Sequence, residues 1–289
     1  LMMELLPSFI KNGTWVKQVK FLSNTCSSHY RAPMSEILHN SKKVNTHSGA
    51  WNIAVLISVV FLIYLPSKEA LSTSEQSGGY LELVSLLPAG IFYTLLVTFL
   101  GSAAAILVGL LVGLGKLSKN PAVRLPVSFY TEILRGVPLL VLLFYIYYAL
   151  GEFIRMPGLV AAVAGFGFSY GAYMADVFRA GIEVIPKEQG EAARSLGMNE
   201  KQALTQIILP QSMRTIIPAI GNQTLGMLKD TSLVSVLAIS DILRVGNEYA
   251  TKHFNFFETY TYVALTYLLL TLLLSRLVHK LESHYRIVG

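Results

Sequence analysis

The chain has 289 residues, of which 53% are hydrophobic and 14% charged, with a net charge of +6. A soluble domain carries about 25% charged residues, so an ordinary globular core is excluded. A single cysteine, Cys26, excludes an internal disulfide and a cysteine-rich metal centre, and a mean hydropathy of +0.53 points to membrane-spanning segments.

Residues 1–50 are polar, lack the apolar stretch of a signal peptide and show no strong helical period. They are expected to form a disordered cytoplasmic arm. Met34 opens Met34-Ser-Glu-Ile-Leu-His and reads as a natural start, so residues before it belong to an over-extended reading frame or to that arm.

A span needs about 20 mostly apolar residues. The uncharged runs Trp51–Pro66, Ala89–Gly115, Gly136–Gly151, Met156–Ala175 and Thr259–Ser275 predict five spans. The third can extend back through Leu125 if Glu132 and Arg135 are protected. Thr215–Leu228 and Thr231–Ser240 are split by Lys229-Asp230 and read as one bent or broken helix, which makes six spans. The loops test that count. Lys116, Lys119 and Arg124 stand without an acid in 116–124, and 179–214 holds Arg179, Lys187, Arg194, Lys201 and Arg214. Residues 67–88 and 241–258 are net negative. Positive loops stay in the cytoplasm, so both termini, 116–124 and 179–214 are expected there.

The polar segment after Ile185 has local structure written into it. Glu188–Leu196 is rich in helix formers with a small apolar face. Gly197 can take positive φ and end that helix. Asn199 and Gln202 have capping-box spacing and start a second helix. Ala203, Leu204, Ile207 and Ile208 then form an apolar stripe, and Pro210 opens the return to the membrane. A short helix, a glycine turn and a second helix make a docking surface.

The same segment fits E-A-A-x3-G-x9-I-x-L-P at Glu191, Ala192, Ala193, Gly197, Ile207, Leu209 and Pro210. In this it resembles the permease subunits of bacterial ABC importers. Arg135-Gly-Val-Pro-Leu-Leu, Gly171-Ala-Tyr-Met-Ala-Asp176-Val-Phe-Arg179 and Leu228-Lys229-Asp230-Thr231-Ser232-Leu233 resemble the polar amino acid branch, the histidine, glutamine, arginine and glutamate permeases. The likeness covers about residues 88–283. Asp176 stands where that branch has glutamate, and Ala180 and Glu188 where it has glycine.

The resemblance implies an all-α integral membrane fold, a five-span permease core over 88–283 plus an extra N-terminal span at 51–66. It implies a cytoplasmic coupling loop at 183–211 seating on a separate ATPase dimer. That dimer would bind ATP and Mg, and this chain would hold no cofactor. An extracytoplasmic amino acid-binding protein and a second permease copy, identical or related, complete the implied assembly in the bacterial inner membrane.

Ionisable groups near the bilayer are costly and mark candidate sites. Arg135, before Gly136 and Pro138, either lines the path or pairs with an acid such as Glu132. Asp176 and Arg179 share a helix face as a helix-end ion pair or a substrate contact. Lys229, Asp230, Thr231 and Ser232 break an apolar run and read as a gate, a path element or a hinge, with Gly221, Asn222 and Gln223 adding polarity nearby. Gly109–Gly113 is a G-x-x-x-G for close helix packing. Tyr145, Tyr147 and Tyr148 read as an interfacial belt or an aromatic cradle for an ammonium group. No Walker-type loop, nucleophile elbow or Cys/His cluster is present. An ion-coupled secondary amino acid transporter is the alternative, but it predicts inverted repeats and midplane acids, and the acids cluster at span ends. A membrane enzyme would need a nucleophile or His/acid set that the sequence lacks. Nothing marks the chain for nucleic acid.

Overall fold

The computed structural model describes residues 47–70 and 80–285. The chain divides into two compact units, 1–54 and 55–289. Of the first, only 47–54 are described, so the expected arm and the Met34 start lie outside the described residues up to 46. All regular structure among the described residues is helical.

Helix α1, His47–Ala70, contains the apolar stretch Trp51–Tyr64 and starts four residues before the sequence run suggested. The Tyr262 hydroxyl donates to the carbonyl of Leu62. Helix α2, Tyr80–Lys116, begins nine residues ahead of Ala89, with Pro88 tolerated inside it. Helix α3, Pro121–Gly136, is started by Asn120, whose side chain accepts from the Ala122 N–H at 2.9 Å, and by proline in the first turn.

The run Gly136–Gly151 is not extended back through Leu125 as one straight helix. Val137 is extended (φ −94°, ψ 127°), as a residue before proline tends to be. Pro138 then opens α4, Leu139–Phe144, which continues through a π turn to Ala149 and a tight turn to Glu152. The axis turns by 104° at this joint. Helix α3 is thus an amphipathic elbow and α4 a separate arm.

Helix α5, Gly158–Glu183, is the most enclosed of the apolar helices and packs along α2. Glycines on both sides let the two helices approach closely. A Cβ on Gly109 would lie 2.4 Å from Met174 Cβ, and one on Gly113 would lie 2.9 Å from the Ala175 carbonyl oxygen. From the facing helix, a Cβ on Gly171 would meet Val108 at 2.7 Å and one on Gly167 would meet Ala104 at 2.9 Å. The Gly109–Gly113 pattern is therefore used for packing within the chain, against Met174 and Ala175, while a second stripe, Gly167–Gly171, packs against Ala104 and Val108. Phe166, Met174, Met227 and Leu237 fill the core beside this seam.

Short helices α6, Lys187–Ser195, and α7, Glu200–Ala203, form the polar loop, and a π turn, Leu204–Ile208, leads into α8, Leu209–Asp230. The split run is one rod that tightens: α8 passes directly into a 3-10 turn, Thr231–Leu237. Helix α9, Ile242–His253, follows, then α10, Phe256–Tyr285. Segments Glu82–Lys116, Gly158–Glu183 and Phe256–Ser283 are long and apolar enough to cross a membrane, and the bent α3–α4 pair adds a fourth candidate.

Helix α9 is fixed at both ends in an unusual way. Ala238 (φ 59°) and Phe254 (φ 56°) are left-handed without being glycine. Its N-cap, Asp241, is fully buried and accepts from the backbone N–H groups of Leu243 and Arg244. The Tyr267 hydroxyl donates to the same carboxylate at 3.1 Å. The Ile242 N–H donates to Thr94 on α2 at 3.3 Å.

Candidate functional site

The loop between α5 and α8 holds itself together with local bonds. Helix α6 ends in a Schellman arrangement: Met198 N–H donates to the Ala193 carbonyl (3.1 Å) and Gly197 N–H to the Arg194 carbonyl (2.9 Å). Gly197 sits at φ +84° with no other atom near a would-be Cβ, so backbone conformation alone requires glycine there. The next residues form the expected capping box. Asn199 accepts from the Gln202 N–H (2.8 Å), and the Gln202 side chain accepts from the Asn199 N–H (2.9 Å). Pro210 falls in the first turn of α8, where its missing N–H costs nothing.

The matched residues divide by burial. Glu191, Ala192, Gly197 and Pro210 are exposed, whereas Ala193 is 3% exposed and faces inward. Ile207 and Leu209 are half-buried. Gly190 lies against Ile208, which draws α6 onto the π turn. Of the two motif alanines, Ala192 is presented on the surface, whereas Ala193 is packed inward. Leu196, expected with Ala192 and Ala193 in the small apolar face, is 81% exposed at the tip. Its position beside Gly197 carried the signal, since the Schellman turn leaves that side chain outside the packed face. Lys119, in the α2–α3 connection, pairs with Glu200 at 2.5 Å and ties the loop to its neighbour. The Lys119 ammonium, through its hydrogen bond and then its charge, holds the Glu200 carboxyl below its usual range.

A second polar cluster lies where α2, α3 and α5 meet. Asp176 accepts from Lys116 at 2.8 Å and from Arg135 at 2.5 Å, while Arg179 stands 3.8 Å away and pairs at 2.7 Å with Glu183. Arg135 thus pairs with an acid, and that acid is Asp176, not Glu132. The elbow at Pro138 swings α3 under α5 and makes that pairing possible. The Arg135 guanidinium also lies 5.4 Å from the centre of the Tyr173 ring. Lys116, Arg135, Tyr173, Asp176 and Arg179 line a cavity of about 510 Å3.

The break at Lys229–Ser232 is less open than its composition suggested. Asp230 accepts from the Tyr170 hydroxyl at 2.7 Å. Thr231 is fully buried, and its hydroxyl donates to the Leu228 carbonyl. Ser232 donates to the Lys229 carbonyl. Lys229 and Asp230 are exposed, so they are the half of the motif available to a ligand, while Thr231 caps backbone. Tyr148 donates to the Val236 carbonyl, anchoring α4 to the turn after the break.

Comparison with known proteins places this architecture. Residues 105–287 match the family described as binding-protein-dependent transport system inner membrane component. The chain is 39% identical over 193 residues to the probable amino-acid permease protein YxeN of Bacillus subtilis, covering 65% of this chain and 86% of that protein. It is 32% identical over 208 residues to the glutamine transport system permease protein GlnP of Escherichia coli, covering 71% and 95%. A crystal structure of an amino acid ABC transporter with histidines superposes with a TM-score of 0.68 at 35% identity, over 74% of this chain and all of that one. The MetNI methionine ABC transporter, inward facing, shares the fold at 20% identity and a TM-score of 0.64, over 71% and 99%. The chain belongs to the binding-protein-dependent transport system inner membrane component family, as a multi-pass amino-acid ABC permease.

Proposed function

We propose that this chain is the membrane subunit of an ATP-driven importer for polar amino acids, with the 183–211 loop as its coupling element. The observation that carries the reading is the self-capped pair α6–α7, which presents Glu191, Ala192 and Leu196 on a surface fixed by its own backbone bonds. Such a surface transmits a push without melting. A separate ATPase dimer binds ATP and Mg and seats on this loop. Closure of that dimer drives alternating access between two permease copies. An extracytoplasmic binding protein delivers substrate at the far ends of the spans. On this reading the chain has six spans, with both termini and the coupling loop in the cytoplasm, and the distribution of positive loop charge supports it. Arg135, Asp176, Lys229 and Asp230 belong to the path or its inner gate, and the buried Thr231 and the Ser232 hydroxyl serve as backbone caps beside it.

Co-purification of the ATPase tests this reading. Glu191→Lys combined with Gly197→Pro reverses the loop's exposed charge and puts proline at φ +84°. ATPase capture and amino acid uptake are expected to be lost, while membrane insertion is retained. Uptake that persists without any bound ATPase overturns the reading.

A further inference from the structure

A polar cavity lies at the other end of the molecule from the coupling loop. Helix α8 has 22 residues and starts at Leu209 beside that loop. At 1.5 Å per residue it is about 33 Å long, and the turn Thr231–Leu237 continues it. Beyond this, Ser235, Leu243, Arg244, Asn247, Glu248 and Tyr260 enclose about 470 Å3, within the usual range of small-molecule sites, about 300–1,000 Å3.

The polar groups converge. Arg244 donates from Nε to Glu248 at 2.7 Å and from Nη1 towards the Ser235 carbonyl at 3.5 Å. These bonds leave the Nη2 donors for a ligand. The Tyr260 hydroxyl donates to the Asn247 side-chain oxygen at 3.0 Å. Arg244 is one-third exposed and Glu248 more so.

An ion pair facing a cavity selects its ligand by charge layout. A lone anion on the Arg244 guanidinium would sit beside the like-charged Glu248, and a lone cation on Glu248 would sit beside the guanidinium. A zwitterion lying antiparallel beside the pair leaves every charge matched. We propose that this cavity is a reception site for the α-amino acid zwitterion. Its α-carboxylate accepts from the Arg244 guanidinium, and its α-ammonium donates to Glu248. Leu243 and the remaining volume accommodate the side chain. The partial exposure of the pair keeps binding weak, as a station that must pass its cargo on requires. Ser235 belongs to the turn that begins at Thr231, so the site borders the break at Lys229–Asp230. That the cavity faces outward rests on the orientation proposed above.

The test uses the full chain with its ATPase in nanodiscs. Each of the twenty L-amino acids serves as probe, and the tightest is compared with its α-carboxamide and its N-acetyl derivative. The wild-type complex is expected to prefer the free amino acid by about tenfold over either derivative. R244Q should lose the preference over the carboxamide alone, and E248Q the preference over the N-acetyl compound alone. R244K, which keeps the charge but not the planar fork, should fall between wild type and R244Q. A merely structural pair would not move these preferences residue by residue. Wild-type preferences in both R244Q and E248Q, or no preference in the wild type, overturn the site. ATPase co-purification with the wild-type chain reports separately on the proposed function.

Discussion

The coupling loop and helix α9 both turn the chain sharply through left-handed residues, and they do so by opposite means. At the loop, Gly197 takes φ +84°, a conformation glycine adopts freely, and a capping box follows it. At α9, Ala238 and Phe254 are held left-handed against their own preference. The compensation there comes from distant partners: Asp241 bonded by Tyr267, Ile242 bonded to Thr94, and Gly246 packed on Val263. The loop's shape is a local property. The shape of α9 is imposed by the rest of the core.

The largest effect that separates the two is expected at Asp241. Asp241→Leu removes the N-cap acceptor and leaves the part-buried N–H groups of Leu243 and Arg244, and the Tyr267 hydroxyl proton, without their acceptor, costing about 3 kcal/mol. Thermal unfolding in detergent should show it, together with protease cleavage near 238–254. An unchanged melting curve would mean that α9 is not held from outside. Next comes Gly197→Ala, which forces a Cβ into the left-handed region at about 1–2 kcal/mol. Because the surrounding space is open, the loss should be local, reading as weaker ATPase capture with little change in global melting. Phe254→Gly should act in the other direction. That side chain is 82% exposed, so relief of backbone strain outweighs lost packing and stability rises by up to about 1 kcal/mol. A fall in melting temperature would show that Phe254 is anchored by contacts that matter more than strain.

The smallest effect is at Glu200. Its depressed carboxyl means that the Lys119 contact is present above the ordinary value of 4.5 and is lost as pH falls through the lower folded value. Carboxyl-carbon NMR should find Glu200 titrating below that value, and Lys119→Met should return it to the ordinary range. Stability near neutral pH should be unchanged by that substitution, since both side chains are largely solvent-exposed.

This contrast explains what could be read in the sequence. The loop was legible because its determinants sit within a few residues of one another: Gly197 after a run of helix formers, then Asn199 and Gln202 three apart. The long apolar helices α2, α5 and α10 were legible by length, and an interruption at Lys229-Asp230 by its charges, but not its form, a continuous tightening. The partner of Arg135 was not, because Asp176 lies 41 residues away and reaches it only through the 104° elbow. The Val137-Pro138 pair signalled a bend but not its direction. Ala193 and Ala192 look alike in a motif, and only the packing of α6 on the π turn separates them. The role of Asp241 was invisible, since a single acid after an apolar run says nothing of Tyr267 or Thr94.

The glycine seam between α2 and α5 bears on how such a molecule can open. At these glycines Met174, Val108 and Ala104 of the facing helix are seated directly on the backbone, and such close, interlocked contacts resist the sliding of packed helices that shear motions use. The two helices therefore act as one strut. Flexure is left to joints without such a seam, the elbow at Val137–Pro138 and the tightened turn at Thr231. Spin labels on Leu107 and Phe168, both largely exposed, should hold a constant separation through an ATP cycle, while labels spanning the elbow change theirs.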